Sequence, residues 1–345
     1  MYNESEEINL KVKFGVFADL HVDIIHDGEK RLEKFLNTCR KENVDFIIHL
    51  GDFCYPDENR KCVCAPGKRP VNIENALNVP TYADKDKIRS MYKNFEKPSY
   101  HVIGNHDCDM CSKKQVLDYY GAKNETYYSF DMGGVHFIVL DGNFMRLDGK
   151  YVDYENGNYF DESYRPEDDA VLPYISDEEL KWLEKDLSLT PYPSILFSHQ
   201  ALAGTEYSVL NSGDVRKVIN AAPNKVLISM YGHEHLDRLE KIDDVWYYAV
   251  NSMSNVWLDV DLSCKGRYGK EIDEKYPNIQ YTAPYKDSLF AIIEIDDKGA
   301  SVKGIQSEYV GPSPLELGAA EDWTWCRDIA YELSPSIRDR YIPFE

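Results

Sequence analysis

Five apolar runs in this 345-residue chain each end in side chains that can bind metals. FGVFA is followed by Asp19 and His21, FIIHLG by Asp52, HVIG by Asn105 and His106, ILFS by His199, and VLISMYG by His233 and His235. Ligands of α/β sheets sit beyond the carboxyl ends of the strands, so segments far apart in sequence point to one site. Side chains alternate along an extended backbone. Asp19 and His21 should therefore face one way with Leu20 turned aside, and His233 and His235 likewise with Glu234 turned aside. Carboxylate, amide and imidazole donors suit Mn, Fe, Co or Zn better than Cu(I) or an iron–sulfur cluster. The set Asp19, His21, Asp52, Asn105, His199, His233 and His235 is too large for one tetrahedral ion and suits two divalent or mixed-valence ions that share a carboxylate. Two ions about 3.5–4 Å apart clamp the attacking and leaving oxygens of an in-line displacement. Their charge outweighs that of the two carboxylates, so a phosphate ester would be drawn to the site.

In the stretch VIGNHDCDMC (102–111) a local reading competes with this distributed one. Cys108 and Cys111, joined by Cys62 and Cys64, would make a tetrathiolate zinc site or a pair of bridges. C-x-C is not the common zinc spacing, and ordinary thiols in loops are the simpler reading. Asp107 stands either to orient His106 or to accept backbone donors. Asp141, at the end of VHFIVLD, is a candidate to support a ligand or bind substrate, or else a turn residue before Gly142. His26, His49, His101 and His136 read as packing residues.

The elements that must position these groups alternate along the chain. KVKFGVFADLH (11–21) reads as a strand and EKRLEKFLNTCRKENV (29–44) as a helix with Leu32, Phe35, Leu36 and Cys39 on one face. Strands follow at DFIIHLGD, SYHVIGNHD, PSILFSH and KVLISMYGHEH, with helices over roughly 82–96 and 213–221. Ser112 with Gln115, and Ser176 with Glu179, have the spacing of capping boxes. Residues 126–143 read as two strands joined around Gly133 and Gly134, and two further strand pairs turn near Asp243 and Lys298. Three stretches break the alternation: 54–80, 144–175 and 256–285. They carry Tyr151, Tyr154, Tyr159, Tyr164, Trp257, Tyr268, Tyr276, Tyr281 and Tyr285, which either hold the loops down or offer a stacking wall. Arg146, Arg165 and Arg267 are candidates to grip a distal phosphate. The reading is one catalytic domain, 1–312, followed by a tail, 313–345, that carries Trp323, Trp325, Tyr331 and Tyr341 and docks on its surface.

Composition narrows the partners. A net charge of −21 argues against a groove for duplex nucleic acid. No stretch approaches the length of a membrane span, and MYNESEEINLKVKF shows no basic region leading into an apolar one. The expectation is a cytoplasmic protein with reduced thiols and no membrane partner, its insertions placed to cap the site or to form a contact between subunits.

Taken in order, Asp19-Leu20-His21, Gly51-Asp52, Gly104-Asn105-His106-Asp107, His199 and Gly232-His233-Glu234-His235 resemble the motif series of the calcineurin-like metallophosphoesterases. The resemblance implies a four-layer α/β/β/α sandwich of two mixed sheets flanked by helices. It places one metal on Asp19, His21, Asp52 and His235 and the other on Asp52, Asn105, His199 and His233, with Asp52 bridging. His106 would then be no ligand but the group that protonates or stabilises the leaving oxygen. Tyr55 has the spacing of the Tyr ligand of purple acid phosphatases, yet that branch has Gly where His21 stands, so Tyr55 reads as a packing residue. The DRG continuation of the Ser/Thr protein phosphatases is missing, and the diphosphatase branch has Gln at the place of His21. Cyclic nucleotide phosphodiesterases share Asp-x-His and GNHD with this chain. The implied activity is attack of a metal-bound hydroxide on the phosphorus of a small phosphodiester or nucleotide. A phosphomonoesterase, a nucleoside diphosphate-type pyrophosphohydrolase and a non-catalytic scaffold are the alternatives.

Overall fold

Every second side chain of the first strand, β1 (Lys11–Phe17), enters one apolar layer: Val12, Phe14 and Val16 point to one side, Phe17 to the other. Gly15 matters on that other side. A Cβ there would lie 2.3 Å from Cys39 Sγ and 3.0 Å from the Phe35 ring, so the missing side chain lets helix α1 (Gly28–Glu42) press against the sheet. A computed structural model describes residues 9–53, 84–122, 125–160, 172–203, 207–320 and 333–344.

β1 is central in a six-stranded sheet. On one side it runs parallel to β2 (Phe46–His49), which is parallel to β3 (Ser99–His101). The other side is antiparallel, through β14 (Ala291–Asp296), β15 (Gly299–Lys303) and β16 (Arg340–Pro343). The second six-stranded sheet has a parallel centre of β5 (Val135–Val139), β8 (Ser194–Ser198), β9 (Val226–Tyr231) and β11 (Val245–Ala249). Antiparallel β4 (Tyr128–Met132) and β10 (Arg238–Ile242) form its edges. Two ribbons, β6 (Phe144–Leu147) with β7 (Lys150–Asp153) and β12 (Asn255–Trp257) with β13 (Thr282–Pro284), stand apart.

The sheets pack face to face through aromatic side chains. Phe14 meets Phe137 and Phe197 edge-on, each at 5.8 Å between ring centres, and Phe46 meets Phe137 edge-on at 5.1 Å. Helix α1, α2 (Lys85–Lys93) and α3 (Lys113–Tyr120) cover the outer face of the first sheet through Leu32, Phe35, Ile88, Tyr92 and Val116. Helices α4 (Asp177–Leu189) and α5 (Ser212–Asn220) cover the second through Leu183, Leu187, Val215 and Ile219. The result is a mixed α/β sandwich of four layers, as the motif resemblance implies.

Local signals fare unevenly. Ser112 and Gln115 form both halves of a capping box. Ser176 accepts from Glu179 N at 3.1 Å, but the return bond is not made, because the Glu179 carboxylate turns inward to accept Asp141 N at 2.8 Å. The stretch 256–285 supplies a ribbon strand, a short helix α6 (Lys270–Lys275) and β13. Tyr55, Cys62, Cys64, Tyr164, Arg165, Trp323, Trp325 and Tyr331 lie outside the described residues. Among the described residues, no helix is long and apolar enough to cross a membrane.

Candidate metal centre

The ligand candidates follow the strands and do not continue them. Asp19, His21, Asp52, His233 and His235 have φ of 54°, 49°, 50°, 65° and 52°. This corrects the alternation argument: neighbouring ligands are brought together by left-handed turns, not by extended backbone. Such turns cost about 1–2 kcal/mol per non-glycine residue and gather where function demands them. The loops are sewn to one another. Asp19 N donates to Gly51 O at 3.1 Å and His21 N to Asp52 O at 3.0 Å. A Cβ at Gly104 would meet Asp52 Oδ1 at 2.1 Å, so glycine is what lets the loop after β3 touch the loop after β2.

Two groups of donors result. Asp19, His21 and His235 form one, and Asp52, His199 and His233 the other. Asp52 lies between them, its Oδ2 3.9 Å from His21 Nε2 and 3.2 Å from His199 Nε2. Asn105 joins the second group through Oδ1, 3.0 Å from His199 Nε2.

The hydrogen bonds on the far side of each ring show what these atoms offer. His199 Nδ1 lies 2.7 Å from Leu50 O and His235 Nδ1 2.7 Å from Asn255 O. A carbonyl only accepts, so each Nδ1 carries a proton, and Nε2 is the nitrogen each ring turns inward, where its lone pair serves a metal that displaces any proton there. His235 Nε2 then meets His21 Nε2 at 3.3 Å and Asp19 Oδ1 at 3.4 Å. His199 Nε2 meets one carboxylate oxygen and one amide oxygen. Acceptors facing acceptors in a buried site repel unless a proton or a metal ion lies among them, and the two groups of donors fit two metal ions. Burial holds the His21 and His233 rings well below the usual histidine range, which keeps them neutral. Burial works against the Asp52 anion, but His199 and His106 outweigh it and hold its carboxyl well below the usual range.

His106 sits beside these groups, partly exposed. Its Nδ1 is 2.9 Å from Asp109 Oδ2, and its backbone N–H donates to Asp52 Oδ1 at 2.9 Å. Burial disfavours its charged form, yet Asp109 and Asp52 raise it to about 9. Of the two readings of Asp107, partner of this ring or acceptor of backbone donors, its contacts follow the second. It accepts Gly104 N at 2.8 Å, Asp52 N at 3.1 Å and Tyr120 OH at 2.8 Å, which braces the loops. The bond to His106 belongs to Asp109, which the sequence reading overlooked, since an Asp at His+3 carries no more signal there than one at His+1.

Asp141 is likewise engaged by its own neighbours. It is fully buried, pairs with Lys113 at 2.7 Å and accepts Asn143 Nδ2 at 3.0 Å, so the expectation that it binds substrate gives way to a bracing role. Arg267 donates to the carbonyls of Val310 and Pro312 at 2.5 and 2.7 Å, and the Arg146 guanidinium lies over the Tyr151 ring, so neither is aimed at a distal phosphate. His49 and His101 form a buried pair at 2.8 Å, His136 is held between Asp131 and Asp186, and His26 packs on Tyr268. Cys108 and Cys111 are buried in an apolar cluster.

Most of the inserted aromatics hold their loops: Tyr276 and Tyr285 are buried, and Tyr151 bonds Asp177. Trp257 does not follow them. Its half-buried ring lies 5.4 Å from His21, 6.1 Å from His106 and 6.2 Å from His235. Phe160 is 6.2 Å from His106, and Tyr207 5.9 Å from His233. Sequence reasoning named Trp257 but missed Phe160 and Tyr207, whose only signal is their place in or beside a long loop.

The calcineurin-like phosphoesterase family model matches residues 12–237. A dimetal phosphatase from Danio rerio has a similar fold, with a TM-score of 0.58 at 14% identity over 87% of this chain and 99% of the other. A putative 5'-nucleotidase from Staphylococcus aureus matches with a TM-score of 0.45 at 13% identity, over 88% of this chain and 55% of the other. No curated protein sequence matches this chain.

Proposed function

Because the chain belongs to the calcineurin-like phosphoesterase family, we propose that it hydrolyses a small phosphodiester or nucleotide at two divalent metal ions. One ion would be held by Asp19, His21, Asp52 and His235, the other by Asp52, Asn105, His199 and His233. The observation that carries this reading is the convergence of Nε2 of His199 and His235 with the oxygens of Asp19, Asp52 and Asn105. Bound there, the ions would supply Lewis acidity, lowering the pKa of water and neutralising charge at phosphorus.

The chain's own groups do the rest. Asp52, placed between the clusters, sets the spacing of the two sites. His106, charged and held at Nδ1 by Asp109, would turn its other nitrogen, Nε2, to the departing oxygen and protonate or stabilise it. Such acid assistance contributes about 10² to 10⁴ in rate. Trp257, Phe160 and Tyr207 ring the partly exposed side and offer flat apolar surfaces to whatever the phosphate carries, which favours an ester with a planar group over inorganic or simple alkyl phosphates.

The test is hydrolysis of bis-p-nitrophenyl phosphate by metal-stripped protein, with and without Mn²⁺. Turnover that requires Mn²⁺, two metal equivalents per chain by elemental analysis, and loss of both in Asp52→Asn are expected. Full metal loading with no turnover of any mono- or diester would overturn the enzymatic reading and favour a scaffold.

A further inference from the structure

A hydrogen-bonded chain joins a metal ligand to the acid and passes through an inserted loop. Asn105 Nδ2 donates to Tyr159 OH at 3.3 Å, Tyr159 OH donates to Asp109 Oδ1, and Asp109 Oδ2 meets His106 Nδ1 at 2.9 Å. Tyr159 lies just beyond the β6–β7 ribbon and is stacked on Tyr154 at 4.3 Å between ring centres, 9° from parallel. Tyr154 is itself buried, so the phenol is fixed from behind. The hydroxyl has one proton to give and gives it to Asp109. It can only accept from the amide, so Asn105 must turn its NH₂ toward Tyr159 and its oxygen toward the donor cluster.

We infer that Tyr159 and Asp109 are positioning residues for the leaving-group step, locking the His106 ring and the Asn105 amide into one arrangement. The inference rests on the proposed phosphoesterase reading and extends it to residues outside the motif series. A side chain from an insertion thereby belongs to the chemistry: the loop 144–160 sets how firmly the acid is held. Neither residue touches the reacting atoms. Their loss should tell most where the departing oxygen most needs a proton.

The experiment compares wild type, Tyr159→Phe and Asp109→Asn as full-length, metal-saturated proteins on bis-p-nitrophenyl phosphate and on diphenyl phosphate, whose phenol is the poorer leaving group. Expected is a kcat loss on the order of 10- to 100-fold on the diphenyl ester, less than the full contribution of an acid, with a far smaller loss on the nitrophenyl ester and metal content unchanged. As a readout apart from activity, histidine ring ¹⁵N spectra of the zinc-loaded proteins should show the His106 Nδ1 resonance, assigned by its absence in His106→Gln, shifted in both variants. Equal losses on the two esters, or a His106 resonance that stays in place, would overturn the inference. If wild type cleaves neither ester, the failure lies with the aryl-diester substrate, and the ring resonance alone decides the chain of bonds.

Discussion

With no cation present, His199 Nε2 faces Asp52 Oδ2 and Asn105 Oδ1, and only a proton can reconcile them. Burial disfavours that proton, but the Asp52 carboxylate prevails and lifts the ring to about 9. A metal must therefore displace a proton at this atom. Affinity of the second site should fall as pH drops below about 9, approaching tenfold per unit while His199 is the group that competes. In the metal-free protein the sign is reversed, because a raised histidine pKa stabilises the fold at low pH and that stabilisation is lost as pH rises through about 9. Zn²⁺ calorimetry in buffers of different ionisation enthalpy, from pH 6.5 to 9, should show proton release and the rising affinity. A flat profile would mean that no proton occupies the site. At this scale the candidate donors that the fold gathers were legible, since each closes an apolar run. Their geometry was not: period-two reasoning assumes extended backbone, and Asp19, His21, Asp52, His233 and His235 have left it. Asp109 was hidden because choosing between two acidic residues in one loop, Asp107 and Asp109, requires knowing which carboxylate the turn carries to the ring.

Strands and helices follow from periodicity because burial enforces it. Phe46 and Ile48 enter the inter-sheet core while Ile47 meets the helices, and Phe137 and Ile138 divide in the same way. What periodicity does not give is how closely two elements approach. Gly15 decides that for α1. In Gly15→Ala the new methyl would collide with Cys39 Sγ and Phe35, and overpacking of this kind costs about 1–3 kcal/mol. Urea unfolding should show that loss, and the same substitution made in Cys39→Ala should cost less, since the nearest obstacle is gone. Additive costs would place the strain elsewhere. The halved capping box at Ser176 has a similar lesson. Glu179 has the right spacing, but a buried backbone N–H at Asp141 has the stronger claim on its carboxylate.

Across the molecule, the chain's last described strand ties the two sheets. β16 pairs with β15 in the first sheet, while Arg340 binds Asp237, which lies just before the second sheet's β10, and Trp246 of β11 donates Nε1 to Pro343 O at 2.9 Å. Asp237 is only 3% exposed. Arg340→Ala should leave its charge short of a partner and cost about 1–3 kcal/mol, with Arg338 N still bonding it at 3.1 Å. Unfolding measured alongside Arg338→Ala should find the Arg340 variant the less stable. The reverse order would show that the tie lies elsewhere. The pairing of β1 with β14 has a consequence for how the protein is made. Leu10 and Asp297, joined at the end of that pair, are 287 residues apart. At ribosomal speeds of roughly 5–20 residues per second, on the order of 15–60 s separate their synthesis. Through that interval the strand leading to Asp19 has one edge without its native neighbour, so a nascent chain stalled before β14 should be the form that chaperones hold and proteases cut.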